Sequence, residues 1–287
     1  MTSADVIETP SGKGAADENF PVGSWLLPRK LRPHVARYYR FARAIDDIAD
    51  NPELVPNDKV ERLNAMADAV SGHEIRHEPG FETASRMYDS LTETNITARH
   101  CTDLVDAFRQ DAVKGRYANW DELIGYCLRS AAPVGRYLLD LHGEDQRNYR
   151  YSDALCNALQ VINHLQDCAD DYRELDRVYL PGDWLADCGI DVTELDKSRS
   201  SAALRAVLDR CLDATRGLME EADELPKRLK NRHLAMESAV IVNLAHKLVA
   251  ELSARDPLAE RVVLTKAQLA VCTLSGILRE FFRRRGA

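Results

Sequence analysis

Apolar residues recur at spacings of three and four over almost the whole chain from Phe20 onward. This spacing is typical of amphipathic helices, whereas the period-two alternation of half-buried strands is nearly absent. Proline, glycine, asparagine and aspartate interrupt the pattern and mark the helix ends. The pattern predicts an all-α protein with helices over residues 29–50, 57–72, 80–90, 97–116, 119–142, 151–173, 199–222, 229–254 and 265–284.

The pattern divides the chain into a short polar segment and one long helical region. Residues 1–18 are polar and aperiodic, which predicts disorder. No long linker and no repeat of fixed period interrupts the remainder, and 45% of the 287 residues are apolar, ample for a sizeable core. We therefore expect residues 19–287 to form one helical domain.

The predicted helix over residues 29–50 carries two stripes of different chemistry. Its apolar stripe consists of Leu31, Val35, Tyr38, Ala42, Ile45 and Ala49. A neighbouring polar stripe, at spacings of four, three and four, consists of Tyr39, Arg43, Asp46 and Asp50. Asp47 falls outside both stripes. The pattern places two carboxylates and a guanidinium along the rim of a buried face; the alternative is a solvated acidic helix end.

A second polar stripe lies within residues 154–181. Its members, at spacings of three, four and four, are Gln160, Asn163, Asp167 and Asp171. Apolar residues cover most of the remaining circumference, which indicates a buried helix whose one polar stripe faces a cavity. Because burial of unpaired carboxylates costs several kcal/mol, these side chains are expected to coordinate cations.

The donor types in the two stripes narrow the choice of metal. Carboxylate and amide oxygens suit Mg²⁺, which binds through one or two carboxylates together with substrate phosphates. Zinc is disfavoured because the eight histidines are scattered and form no HExxH motif. A di-iron bundle needs Glu-x-x-His on paired helices, which neither stripe contains. The stripes together predict a Mg²⁺-dependent site for a diphosphate.

Charge and cysteine content exclude several other classes. The formal net charge of −8 argues against a nucleic-acid partner. The seven cysteines form no CxxC pair, which indicates reduced thiols in the cytoplasm. No stretch has the length of a membrane span and no signal-peptide core is present, so a cytoplasmic protein is expected. The arginines at 283–285, after Phe281 and Phe282, favour a solvated tail, with transient contact to an anionic inner membrane as the alternative.

Both motifs resemble those of the squalene/phytoene synthase family of head-to-head prenyl synthases. The family string Y-x(3)-R-x(2)-D-x(3)-D matches Tyr39, Arg43, Asp46 and Asp50, and N-x(3)-D-x(3)-D matches Asn163, Asp167 and Asp171. An R-x-Y-x-P string follows at Arg177, Tyr179 and Pro181. The resemblance covers nearly all of the chain after residue 18. It implies a single-domain class I isoprenoid synthase, a helical bundle around a central cavity.

The resemblance also implies roles for individual residues. Magnesium would be held by Asp46, Asp50, Asn163, Asp167 and Asp171. Substrate would be contacted by Asn19, Phe20, Arg43, Arg116, Gln160, Asn163, Arg177 and Arg261. The catalytic side chains around the leaving diphosphate and the developing carbocation would be Tyr39, Arg43, Tyr126 and Tyr179. Core packing or a surface charge is the alternative for Phe20, Tyr126 and the arginines other than Arg43.

Within the family, several stretches are most similar to the bacterial hydroxysqualene synthase (HpnC-type) subgroup of squalene and hopanoid biosynthesis. They are ENFPVGSWLLPRKLRPHVARYYRFARAIDDIAD, DAFRQDAVKGRY, YCLRSAAPVGRYLL and DPLAERVVL. This similarity implies conversion of presqualene diphosphate and water to hydroxysqualene and diphosphate without NADPH. Other pathway enzymes would supply the substrate and reduce the product.

Two alternatives and two departures from the family pattern accompany this interpretation. The protein could instead be a presqualene diphosphate synthase, or another head-to-head synthase, that uses farnesyl diphosphate. A non-catalytic helical lipid-binding or scaffold protein is the alternative from another class.

The sequence LRSAAP at 128–133 replaces the family's YVAG-type stretch, and Gln166 stands where the family often has arginine. A basic diphosphate contact would then be missing or be supplied from elsewhere in the chain.

Overall fold

The structure, a computed structural model, describes residue 7 and residues 26–285, the last two by their backbone alone. In this part of the chain helices dominate, and the predicted all-α class is confirmed. Asn19, Phe20 and all of the predicted disordered segment except Ile7 lie outside the described residues. The helices and strands are α1 Arg32–Asp50, α2 Pro56–Val70, α3 Glu82–Thr94, α4 Arg99–Asp111, β1 Arg116–Tyr117, α5 Trp120–Ser130, α6 Ala132–Leu141, α7 Tyr149–Gln166, α8 Cys168–Leu175, β2 Val178–Pro181, α9 Gly182–Asp187, α10 Ala202–Ala222, α11 Leu225–Arg228, α12 Arg232–Ala254 and α13 Lys266–Arg285.

The described residues form two compact units, and the first comprises those up to residue 114 together with residues 136–143. In this unit α1 packs against α2, α3 and α4. Its fully buried apolar side chains include Phe41, Ile45 and Met66. The rings of Tyr38 and Tyr137 stack with their centroids 4.2 Å apart. This packing fixes the helix that carries the first polar stripe.

The second unit comprises residues 115–135 and the described residues from 144 onward. Here α7, which carries most of the second polar stripe, packs against α5, α10 and α12. Strands β1 and β2 pair in parallel and place Arg116 opposite Val178. All seven cysteines are free thiols, as the absence of paired spacing predicts. The prediction that residues 19–287 form one domain stays a prediction.

Local sequence explains both ends of α1. Pro33 occupies the first turn, where a missing N–H breaks no helical hydrogen bond. At the other end Asn51 has extended dihedral angles (φ −61°, ψ 114°), because a residue that precedes proline disfavours the helical region. The helix therefore stops with Asp50 in its last turn.

Several features differ from the predicted elements, among them the short helices α9 and α11, which were not predicted. The helix predicted over 119–142 is divided into α5 and α6 because Pro133 lacks an N–H and cannot continue the hydrogen-bond ladder. The helix predicted over 151–173 is likewise divided, with Asp167 (φ −106°, ψ 10°) at the junction of α7 and α8. The sequence analysis also missed β1 and β2. Every residue of β2 is buried, so that strand shows no alternation.

Replacing Gly276 by alanine is expected to destabilise the second unit. A Cβ atom at this position of α13 would lie 2.8 Å from both the N and Cα atoms of Val240 in α12, and rigid backbone cannot yield cheaply. Overpacking of this kind costs about 1–3 kcal/mol in the free energy of unfolding, measurable by urea denaturation. Gly217→Ala in α10 is the matched control. No atom lies within 4 Å of its added Cβ, and a gain of about 0.5–1 kcal/mol is expected. Equal effects of the two substitutions would contradict the close-approach argument.

Candidate active site

Arg43 organises the first group of carboxylates on α1. One guanidinium nitrogen lies 2.8 Å from Asp46 Oδ2, and the other lies 2.9 Å from Asp47 Oδ1. Asp47 is buried, although the sequence pattern placed it outside both stripes. It shares this guanidinium because residues four apart lie on the same side of a helix.

The electrostatics of this group leave an excess of negative charge. The pKa of Asp46 is raised to about 8, first because its carboxyl group is shielded from solvent and then because Asp50 is negatively charged. Asp47 and Asp111 raise this pKa further, whereas Arg43 lowers it. Asp111 is a buried carboxylate at the end of α4 that the sequence analysis missed. The Asp46 side chain nevertheless keeps 26% of its surface exposed, so a cation can reach it.

The second group is built around the junction of α7 and α8. The Asp167 N–H donates to the Asn163 carbonyl at 3.0 Å, and the Asp171 N–H donates to the Asp167 carbonyl at 2.8 Å. The helical turn thus continues through Asp167 despite the break. The pKa of Asp167 is raised, first by burial and then by the negative charge of Asp171. Repulsion between closely spaced carboxylates therefore recurs in the second unit.

Gln166 and Arg261 account for the departure from the family pattern at position 166. The Gln166 side chain is buried, and its Nε2 donates to the Val262 carbonyl at 2.5 Å. This hydrogen bond ties α7 to the segment that carries Arg261. The positive charge of Arg261 lowers the pKa of Asp167. Arg261 therefore supplies positive charge beside Asp167, where residue 166 has none.

An aromatic cluster lies next to the second group. The Tyr126 ring centroid is 5.5 Å from that of Tyr179, and Tyr117 lies 5.3 and 5.5 Å from these two rings. His164 stacks on Tyr179 at 3.6 Å, and its Nδ1 lies 3.9 Å from Asp171 Oδ2. The structure thus brings together Tyr126 and Tyr179, which were expected, with Tyr117 and His164, which were missed.

Three further residues, expected to bind substrate or to act in catalysis, lie in different environments. The Arg116 guanidinium forms an ion pair with Asp176 and donates to the Gly115 carbonyl at 2.8 Å. Arg177 is buried, and its backbone N–H donates to the Asp171 carbonyl at 3.1 Å. Tyr39 is half-buried on α1. Their roles in substrate binding and catalysis stay predictions.

The donor chemistry of both groups fits Mg²⁺. Among residues 26–285, no three His, Cys, Asp or Glu side chains converge as a ready-made metal cage. Magnesium does not require such a cage, because it keeps several waters and takes one or two carboxylates together with phosphate oxygens. The raised pKa values of Asp46 and Asp167 mark carboxylates whose charge a divalent cation would offset. The residues present therefore fit the metal that the fold implies.

Known proteins share both the sequence and the fold of this chain. The squalene/phytoene synthase family model matches residues 14–268. A hydroxysqualene synthase of Rhodopseudomonas palustris is 42% identical over 284 residues, which cover 99% of this chain and 95% of that protein. One from Zymomonas mobilis is 40% identical over 260 residues, or 90% of this chain and 86% of that protein.

Solved structures agree with these matches. The squalene synthase HpnC of Alicyclobacillus acidocaldarius superposes with a TM-score of 0.71 and 28% identity, over 81% of this chain and 87% of that one. A dehydrosqualene synthase shares the fold, with a TM-score of 0.72 and 18% identity over 93% of each chain. The fold is that of the squalene synthase-like isoprenoid synthases. With its two aspartate motifs and its family match over residues 14–268, the chain belongs to the squalene/phytoene synthase family.

Proposed function

We propose that this protein is an isoprenoid diphosphate enzyme that converts presqualene diphosphate and water into hydroxysqualene and diphosphate. The observation that carries the proposal is the buried aromatic cluster directly beside the carboxylates of the second group. A carbocation formed by loss of diphosphate needs such a neighbourhood, because aromatic faces attract positive charge and the apolar walls exclude bulk water. The relatives named hydroxysqualene synthase, at 39–42% identity, support the same reaction.

The metal-binding part of the proposal rests on five side chains. Asp46, Asp50, Asn163, Asp167 and Asp171 would hold magnesium. When bound, Mg²⁺ neutralises the charge that develops on the leaving diphosphate. Arg43 orders the first carboxylate group through its pairs with Asp46 and Asp47.

Residues of the second unit would bind the diphosphate end and protect the carbocation. Arg261 places positive charge beside Asp167. Tyr126 and Tyr179, buried side by side, present ring faces and exclude water. Addition of water to a carbocation is redox-neutral, so the proposed reaction consumes no NADPH.

The experiment that tests the function is an incubation of the purified protein with presqualene diphosphate and Mg²⁺ in the absence of NADPH. Mass analysis of the lipid extract is expected to show a C30 alcohol that incorporates ¹⁸O from labelled water. A parallel incubation with farnesyl diphosphate tests the alternative synthase. Consumption of farnesyl diphosphate with presqualene diphosphate left unchanged would overturn the proposal in favour of the earlier step.

We also propose that α13 contacts anionic membrane. The exposed large apolar side chains of α13 lie along one face of the helix. Val271 is 67% exposed and Phe282 is 64% exposed, and the remaining exposed apolar residues are Leu274, Leu278 and Phe281. The one acidic residue of the helix, Glu280, is buried against Arg283, which leaves Lys266 and Arg279 as charges on the exposed surface. An apolar face with basic and no acidic side chains is complementary to an anionic lipid surface. In residues 26–285, no helix is long and apolar enough to cross a bilayer.

Replacing Phe281 and Phe282 together by serine is expected to lower binding to phosphatidylglycerol vesicles by roughly tenfold or more. Each buried phenylalanine contributes about 1.5–3 kcal/mol to transfer from water. Vesicle sedimentation measures the bound fraction. Val113→Ser removes an equally exposed apolar side chain outside this helix and is expected to leave binding unchanged. Equal binding of all three proteins would contradict the assignment of this face.

A further inference from the structure

His164 is a buried titratable side chain that the diphosphate chemistry described above does not use. It lies on α7, is 8% exposed and stacks on Tyr179 with ring planes 13° apart. Its Nε2 lies 3.2 Å from the amide nitrogen of Gln160, one helical turn earlier. His164 thus joins the aromatic cluster to the polar stripe.

The contact with Gln160 determines the hydrogen-bonding state of the ring. An amide NH₂ group can only donate, so Nε2 of His164 accepts. The other ring nitrogen, Nδ1, lies 3.9 Å from Asp171 Oδ2. This hydrogen bond holds the Gln160 amide in one orientation.

In that orientation the carbonyl oxygen of the Gln160 amide, Oε1, is available to accept a hydrogen bond. Within the described residues, the contact with His164 is the one hydrogen bond of the Gln160 side chain, so its Oε1 accepts from no protein group there. The carbonyl oxygen is a strong acceptor on a side chain whose amide nitrogen contacts the ring that stacks on Tyr179. An acceptor in that place can hold one water molecule in a defined orientation.

We infer that His164 is a positioning residue that orients Gln160, whose Oε1 holds the water that captures the carbocation. The inference rests on the proposed function and adds to it the residues that select the product. By accepting one hydrogen of the water, Oε1 turns the oxygen lone pair toward the cationic carbon. The C–O bond forms from that lone pair, and the surplus proton passes to the released diphosphate. Neither Gln160 nor His164 changes its protonation state, and nothing is oxidised or reduced.

The orientation of this water molecule determines the product, because the carbocation can also react without water. Without a positioned water, the cation loses a proton from a neighbouring carbon and gives a C30 hydrocarbon. The alcohol-to-hydrocarbon ratio therefore reports how well the water is held. Rate and stability, in contrast, also respond to general damage of the site.

A second buried acceptor in the same unit provides an internal comparison. The Ser130 hydroxyl, at the end of α5, is buried without a hydrogen-bond partner among the described residues. It too could hold a water molecule. Unlike Gln160, it makes no hydrogen bond within the described residues that would fix its direction, so we assign the water to Gln160.

The test measures products of presqualene diphosphate in ¹⁸O-labelled water, together with the rate of diphosphate release. Gln160→Leu removes the amide at similar size, and His164→Phe keeps a ring to stack on Tyr179 but removes the accepting nitrogen. Each is expected to lower the alcohol-to-hydrocarbon ratio on the order of tenfold, the equivalent of about one hydrogen bond. The double variant is expected to add little, because the two side chains act as one unit.

Several outcomes would overturn the inference. If His164→Phe released diphosphate more slowly but kept the alcohol-to-hydrocarbon ratio unchanged, His164 would have only a packing role. A shift of the ratio in Ser130→Ala alone would move the water to the other acceptor. Alcohol from the wild-type protein with unchanged ratios in the variants would overturn this inference and leave the proposed function standing. Absence of alcohol from the wild-type protein would overturn both.

Discussion

Replacing Asp167 by asparagine is expected to lower kcat/KM for presqualene diphosphate by on the order of a thousandfold. If Asp167 binds magnesium as proposed, its loss removes several kcal/mol of charge stabilisation from the leaving diphosphate. The fold should persist, because burial and the charge of Asp171 already make the ionised form of Asp167 unfavourable. Diphosphate release measures the activity, and thermal unfolding measures the stability.

Asp170→Asn is the matched control for this substitution. Asp170 lies three positions further along the chain, is exposed and carries the same charge. Its replacement is expected to change kcat/KM by less than about threefold, since surface charges contribute little. Undiminished turnover in Asp167→Asn would remove Asp167 from the metal site. Equal losses in both variants would point to net charge rather than coordination.

The helical framework could be predicted from the sequence because its signals are local. Apolar spacing, Pro33 and the Asn51-Pro52 pair define α1 from within some twenty residues. Strand β2 could not be predicted in this way. Its four residues are all buried, so the period-two pattern is absent, and its partner β1 lies some sixty residues earlier in the chain.

The candidate site could be predicted only where its partners share a helix. The stripes gave Asp46, Asp50, Asp167 and Asp171, because periodicity relates residues on one element. The buried charge of Asp111 next to Asp46 depends on packing between α1 and α4, which spacing does not report.

His164 is a different case, because a local signal was present. It follows Gln160 by four positions, which puts the two side chains on the same side of α7. Because the polar stripe was defined by oxygen donors for a metal, the imidazole of His164 was not among its members.

Replacing Asp46 by asparagine is expected to stabilise the metal-free protein while it removes activity. The folded-state pKa of Asp46 is about 8, whereas that of an unperturbed aspartate is 3.8, so the folded state binds an extra proton between these pH values. The free energy of unfolding of the wild-type protein therefore falls as the pH rises from about 4 to 8. Asparagine carries no titrating proton. The variant should gain about 1–3 kcal/mol over wild type at pH 8, and the gain should vanish below pH 4.

Magnesium should reverse this order of stability. A divalent cation offsets the repulsion between Asp46 and Asp50, and binding to the folded state alone raises stability. The melting temperature of the wild-type protein at pH 8 should therefore rise with Mg²⁺ and return with EDTA, while that of Asp46→Asn should respond much less. Asp89→Asn removes an exposed carboxylate in the same unit and is expected to respond as wild type does. Asp46→Asn could prove inactive and yet no more stable than the metal-free wild-type protein. Asp46 would then be needed for activity, but its carboxylate would not destabilise the folded protein. A metal response equal to that of wild type would instead place Mg²⁺ binding on other side chains.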